Sequence, residues 1–348
     1  MTFDPREEFD VIRKNLGCIS FEDQRVLVTG GAGFLGSWLC ETLIQSGAYV
    51  TCVDNFASGQ LSNIQPLMGS ERFRFIEHDI STPLPVEIPP DVVFHMASRA
   101  SPFEFEHYPI QILKANTMGV LVALGIAKKH HSRIVYTSTS EVYGNPEIVP
   151  TPESYNGNVN PIGFRGCYDE AKRCGEAYVI AYRRQHHLNT RIARIFNTYG
   201  PRIRMDGIYG RVIPRFIDQA LNGIPLTVFG DGSQTRSFTY VTDQIEGLLR
   251  LAALDAAEGQ VINIGNVNEI TVLELAKKVI DLTASQSSIA FHPLPEDDPL
   301  RRRPDVSRAK SVLGWEPKAT LERGLKRTIE WIKNPPIFRY DPEAVRSK

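Results

Sequence analysis

The stretch Val26-Leu-Val-Thr-Gly-Gly-Ala-Gly-Phe-Leu-Gly36 decides the fold. An apolar, β-branched run ends in glycines at 30, 33 and 36. A helical pattern follows, and Asp54 closes the next apolar run. A dinucleotide site needs this order. Gly30 permits the tight turn, Gly33 lets backbone N–H groups approach a pyrophosphate, and Gly36 lets the helix pack close to the strand. Phe34 and Leu35 open that helix at its positive end, where phosphate is favoured. Asp54 is placed to accept from ribose hydroxyls and to repel a 2′-phosphate, and Asn55-Phe-Ala-Ser-Gly-Gln60 offers no arginine to receive one, so NAD is favoured over NADP. A glycine-rich turn without a ligand would leave Asp54 unexplained.

Further short β-branched runs lie at 49–53, 73–77, 91–95 and 133–137, with helical patterns at 35–46 and 110–130. A helix over 164–186 and a strand over 190–195 follow. This alternation predicts βαβ units, hence an α/β Rossmann-type, doubly wound parallel sheet. After about residue 196 glycine and proline become dense, which predicts a smaller C-terminal α/β substrate-binding domain with the ligand crevice between the two. The expected division is an N-terminal extension over 1–24, a dinucleotide-binding domain over 25–196 to which 238–256 returns, a substrate domain over 197–333 and a surface tail over 334–348.

Composition excludes several classes. The 348 residues are 42% hydrophobic and 23% charged, and the formal net charge is −1, so neither nucleic acid nor a membrane surface is expected as a partner. No apolar run is expected to reach membrane-spanning length, and the first 20 residues carry charges throughout without a signal-peptide core. The five cysteines are odd in number and lack CxxC spacing, which reads as reduced thiols in a cytoplasm and not as a zinc site. The eight histidines are scattered; His130-His131 and His186-His187 fall late in helical segments, where they complement the dipole. No metal site is expected. Arg301-Arg-Arg303 reads either as a solvated loop or as a phosphate ligand.

Two further motifs carry chemistry. In Tyr168-Asp-Glu-Ala-Lys172 the tyrosine and lysine are four apart and share a helix face. A free phenol titrates near ~10. The lysine charge, joined by a positive nicotinamide ring, is expected to lower it enough for Tyr168 to act as a base. In Tyr136-Thr-Ser-Thr-Ser-Glu-Val-Tyr-Gly144 a strand ends in hydroxyls and a carboxylate, at the sheet edge that faces the ligand. Thr139 is placed to hydrogen-bond a sugar hydroxyl undergoing oxidation, and Ser140 and Glu141 to bind, protonate or position water near a neighbouring carbon. The same residue types also make a capping turn.

The order of these motifs, with His95-Met-Ala-Ser98 and Arg194-Ile-Phe-Asn-Thr-Tyr-Gly-Pro-Arg202, resembles the extended short-chain dehydrogenase/reductase family of nucleotide-sugar epimerases, dehydratases and decarboxylases. The resemblance covers roughly residues 24–333 and is strongest to its UDP-glucuronate decarboxylase branch, through Asn160-Pro-Ile-Gly163, Arg165, Cys167-Tyr-Asp-Glu170, Gly232-Ser-Gln-Thr-Arg236 and Pro304-Asp305. It implies that Tyr168, helped by Thr139 and Lys172, takes the C4 hydroxyl proton of a UDP-sugar while hydride passes to NAD. The 4-keto product of UDP-glucuronate is a β-keto acid; it loses CO2, gains a proton at C5 and is reduced again at C4, giving UDP-xylose. Dehydratases of the family place an Asp–Glu pair where this chain has Ser140-Glu141, and 4-epimerases usually lack the Glu. A UDP-sugar 4-epimerase, acting on UDP-glucuronate or UDP-glucose, is the alternative.

The resemblance also implies site residues. Asp79 and Ile80 would lie near the adenine, and Ala97, Ser98 and Asn116 on the nicotinamide side. Asn197, Arg211, Arg236, Arg302 and Asp298 would bind the nucleotide sugar. Arg236 matches an arginine near the sugar carboxylate, with a diphosphate contact as its other reading. Thr227 and Phe229 stand where relatives hold uracil, or belong to strand core. A homodimer through helices 110–130 and 164–186 is implied. One loop departs from the pattern: Ser98-Arg-Ala-Ser-Pro-Phe-Glu-Phe105 has Arg99 in place of a proline and Phe105 in place of a sugar-contacting tyrosine. Arg99 is an added cation for a carboxylate, opposed by Glu104 and Glu106 unless these point away.

Overall fold

Seven parallel strands form one sheet whose C-terminal edge collects the predicted motifs. The computed structural model describes residues 3–205, 211–294 and 301–334. In chain order the leading elements are helix α1 (Arg6–Leu16), strand β1 (Arg25–Thr29), helix α2 (Phe34–Gln45), and strands β2 (Tyr49–Asp54), β3 (Phe73–Glu77), β4 (Val92–His95), β5 (Arg133–Thr139) and β6 (Thr190–Ile195). The spatial order is strand Val261–Ile264, then β6, β5, β4, β1, β2 and β3. The direction of winding reverses between β1 and β4, the point where such sheets open a crevice. Gly30 follows β1, Asp54 ends β2, Thr139 ends β5 and Asn197 follows β6, so all four face that edge.

The strands are buried apolar runs because helices cover both faces. Helix Pro109–His130 packs on β4, β5 and helix Gly166–His186, while helix Val241–Ala253 packs on β5, β6 and α1. Both long helices end on a histidine, and the next residue, His131 or His187, takes the left-handed cap with φ 56° or 54°. The N-terminal segment is built into the core: Phe9 lies 4.7 Å from the Trp38 ring, and buried Glu8 accepts two 2.8 Å bonds from Arg327 of helix Leu321–Lys333.

Three features differ from the expectations. The return to the sheet extends beyond 238–256, because Val261–Ile264 pairs with β6; Asn263 interrupts the run and hides it as a strand. β5 continues two residues past 137, since the Ser138 hydroxyl is buried by donating to Glu176 at 2.6 Å. One helix, Pro109–His130, is long and apolar enough to cross a membrane by length and composition, although a lysine interrupts its apolar run; here it is a packing helix of the sheet. The tail over 335–348 lies outside the described residues.

Gly36 shows how tightly α2 seats on the glycine turn. A Cβ there would lie 2.1 Å from the Gly30 carbonyl oxygen and 2.7 Å from the Gly31 Cα. Both obstacles are backbone and cannot turn aside. Gly36→Ala is expected to cost about 1–3 kcal/mol of stability and to weaken NAD binding, read by thermal melting and by NAD titration.

Candidate active site

A cavity of about 550 Å³ runs along this edge from the glycine turn to the hydroxyl run, and its lining unites most of the residues predicted from sequence. At one end lie Gly30, Gly33, Phe34, Leu35 and Gly36, with Asp54, Asn55, Asp79, Ile80, Ala97 and Ser98 beside them. Gly30 adopts φ +73°, and a Cβ on it would meet the Ala97 backbone at 2.7 Å. Gly33 caps α2 with no side-chain hydrogen bond to its first turn, so that turn's N–H groups are left for an anion. Asp54 accepts from the N–H groups of Ala32 at 3.0 Å and Phe56 at 2.8 Å, which holds the carboxylate at the cavity wall. Burial pushes its carboxyl up and these bonds oppose the shift. The turn, the uncapped helix and the acid together fit NAD. Asn116 does not line the cavity; fully buried behind Ser98, it donates to the Ser98 hydroxyl at 3.0 Å and so orients that residue.

In the middle of the cavity stand Thr139, Tyr168 and Lys172. Lys172 Nζ donates to the Thr137 carbonyl at 2.8 Å and lies 5.9 Å from the Tyr168 ring centroid. Burial pulls Lys172 down to about 7, against the raising charge of Glu176. Burial likewise pushes the Tyr168 phenol above its ordinary value; the Thr139 hydrogen bond opposes this and the Glu141 charge adds to it. The expected lowering of the phenol by Lys172 is therefore corrected. Counting charges along the helix omitted the desolvation that both groups suffer. A base here needs a further positive charge, which an oxidised nicotinamide ring supplies when bound.

The lysine carries a pH signature. Its folded value lies below its unfolded one, so between about pH 7 and 10 the unfolded chain binds the extra proton and stability rises with pH. Relative to Lys172→Met, the wild-type protein is expected to gain up to about 1.4 kcal/mol per pH unit across that window, measured by denaturant unfolding without cofactor.

The far end of the cavity is dominated by cations. Arg99, Arg165, Arg204, Arg211, Arg236 and Arg302 line it against two glutamates, Glu104 and Glu141. Asn197 and Ser140 complete the wall. Glu141 is buried and ion-paired to both Arg165 and Arg302. Burial pushes its carboxyl up, but the two arginines outweigh that and hold it below the ordinary range. Strand Arg301–Arg302 runs parallel to Thr235–Ser237 with Arg302 opposite Arg236, so two guanidinium groups are neighbours across strands. Arg302 is 6% exposed, and among the described residues its Nε and Nη2 have no hydrogen-bond partner. Buried donors left in this state call for an anion.

Not every candidate joins the cavity. Thr227 and Phe229 lie on strand Leu226–Phe229 outside its lining; Gln219 satisfies Thr227 through bonds of 2.8 and 3.0 Å, and Arg215 lies 5.0 Å over the Phe229 ring. Asp298 lies outside the described residues. Arg99 does line the cavity, but its guanidinium is engaged by Glu104 at 3.5 Å and lies 4.3 Å over the Tyr108 ring. Glu106 is exposed, so only Glu104 opposes it. Sequence reasoning missed Arg165 and Arg204 as site residues. The signal for Arg165 was its place three residues before Tyr168, on the same face, where a buried Glu141 needs a partner. Among the described residues no cluster of ligands suits a metal ion.

Comparison with known proteins agrees with this geometry. Residues 26–265 match the model of the NAD dependent epimerase/dehydratase family. The chain is 49% identical over 309 residues to UDP-glucuronic acid decarboxylase 1 of Danio rerio, covering 89% of this chain and 72% of the relative. It is 49% identical to UDP-glucuronic acid decarboxylase 6 of Arabidopsis thaliana, covering 87% of each. Among solved structures it is similar to a UDP-glucuronic acid 4-epimerase from Bacillus cereus in complex with UDP-glucuronic acid and NAD, with a TM-score of 0.79 at 30% identity, covering 89% of this chain and 99% of that one. A glycine turn built for NAD, a buried Tyr168–Lys172 pair and these likenesses lead to one conclusion: the chain belongs to the NAD-dependent epimerase/dehydratase family, the extended short-chain dehydrogenases/reductases.

Proposed function

We propose that this protein is a UDP-glucuronate decarboxylase that forms UDP-xylose. The observation that carries the reading is the buried, partly unsatisfied Arg302 beside Arg236, tied through Glu141 to the strand end that bears Thr139. A hexose with a neutral C6 offers those donors only an uncharged hydroxyl. A carboxylate on C5 offers them a charged acceptor, and a diphosphate engages the arginines toward Arg211. The high identity to curated decarboxylases over most of the chain supports the same substrate.

The residues then divide the work. Tyr168 takes the C4 hydroxyl proton, with Thr139 orienting the phenol and Lys172 placing positive charge near it. Bound NAD supplies the acceptor, and afterwards the donor, of the C4 hydride. The resulting 4-keto uronate breaks its C5–C6 bond, with the electron pair passing into the C4 carbonyl as CO2 leaves. Glu141 and Ser140, at the sugar end, position the water whose proton is added to C5 of the enolate, and Tyr168 gives its proton back to the C4 oxygen. Ser140 stands where a dehydratase would need an acid for loss of water. The test is incubation with NAD and UDP-glucuronate, trapping CO2 and identifying the sugar by NMR. UDP-xylose with CO2 is expected; UDP-galacturonate without CO2 would make the protein a 4-epimerase.

We further propose a cytoplasmic homodimer paired through helices Pro109–His130 and Gly166–His186. Exposed Ile110 and Met118 on the first, and Ile162 and Phe164 just before the second, support the pairing; five free cysteines support the compartment.

A further inference from the structure

Among the described residues of the cavity wall, Glu104 is the glutamate to which the proposed reaction gives no role. Its residue is 3% exposed, and a carboxylate buried to that degree requires partners. The two oxygens serve different parts of the chain. Oε2 accepts from the Ala100 N–H at 3.1 Å and the Ser101 hydroxyl at 3.2 Å, which ties it to its own loop. Oε1 faces Arg99 at 3.5 Å and Arg204 at 3.3 Å, the latter 100 residues away on the segment after Gly200-Pro201. The next residue, Phe105, is buried and stacked on Tyr168, with ring centroids 5.4 Å apart and planes at 23°. Arg165, the partner of Glu141, lies 5.6 Å from the centroid of the same Phe105 ring. Arg99 and Phe105, both departures from the family pattern, thus flank a single anchor.

We propose that Glu104 is a positioning residue: it clasps the loop Ser98–His107 to Arg204 across the cavity and thereby fixes Phe105 against the catalytic tyrosine. Arg99 serves the clasp, held between Glu104 and Tyr108, instead of binding substrate directly. A displaced Phe105 moves the phenol relative to C4, and misplacement by about 1 Å costs up to about 10²-fold in turnover. The inference rests on the decarboxylase reading for one of its two assays.

The test is a double-mutant cycle with Glu104→Gln, Arg204→Met and the pair, read by thermal stability and by CO2 release. Glu104→Gln is nearly isosteric, and Arg204 is partly exposed, so the second single variant serves if the first fails to fold. Each single variant is expected to lower kcat about 10- to 100-fold with NAD affinity kept. The double variant should lose no more than the worse single one, in both readouts. A purely structural Glu104 would lower the folded fraction and leave kcat of the folded enzyme unchanged. An Arg204 that only binds substrate would raise KM and multiply with Glu104→Gln; either pattern overturns the clasp. Wild-type inactivity on UDP-glucuronate with stability coupling intact would overturn the decarboxylase reading alone.

Discussion

Tyr168→Phe is expected to lower kcat for CO2 release by about 10²- to 10⁴-fold, the range for losing a positioned general base, with little change in affinity for NAD or UDP-glucuronate. The substitution removes only the phenolic oxygen. The ring volume is kept, so the stack on Phe105 and the helix Gly166–His186 persist. The Thr139 hydroxyl loses one partner. Because burial pushes the phenol up, the base role proposed for Tyr168 requires added positive charge beside it, which Lys172 and an oxidised nicotinamide would supply. Single-turnover kinetics with equilibrium binding separates the two quantities. A variant keeping about a tenth or more of wild-type turnover would remove Tyr168 from the base role.

Glu141→Gln is expected to have a double consequence. It leaves Arg165 and Arg302 facing an amide in a buried site, and breaking such a pair costs about 3–5 kcal/mol of stability. It also removes the cavity-wall carboxylate to which the proposed function gives the C5 protonation step, so kcat should fall about 10²-fold or more. Affinity for UDP-glucuronate should not weaken, because the two guanidinium groups are released to the anionic ligand, which should restore much of the lost stability. Calorimetric binding and melting with and without UDP-glucuronate check this. Weaker binding in the variant would mean that Glu141 holds the substrate instead of competing for its arginines.

What was legible in the sequence follows from how local each feature is. The glycine turn, α2 and Asp54 were readable because one βαβ unit contains the whole phosphate and ribose chemistry. Thr139 to Glu141 were readable because a strand's C-terminal end points at the crevice wherever the sheet is parallel. The Tyr168–Lys172 spacing was visible, but its electrostatics were not, since desolvation depends on neighbours far along the chain. Arg302 was named through the resemblance, but its register with Arg236, like the reach of Glu104 to Arg204, is a contact that no local pattern encodes. Asn116 reaches the site only through Ser98. Strand Val261–Ile264 was hidden because Asn263, buried inside it, spends its side chain on Tyr143 and the carbonyls of Thr151 and Asp305.

The central claim is that one site oxidises C4, releases CO2 and reduces C4 again without letting the hydride escape. UDP-glucuronate carrying deuterium at C4 tests it most directly, with the product examined by NMR and mass spectrometry. The account predicts CO2 in equal amount to UDP-xylose, with the deuterium retained at C4 and, in heavy water, one solvent deuteron added at C5. Loss of the C4 label into free reduced cofactor, or a product that keeps its carboxylate, would contradict it.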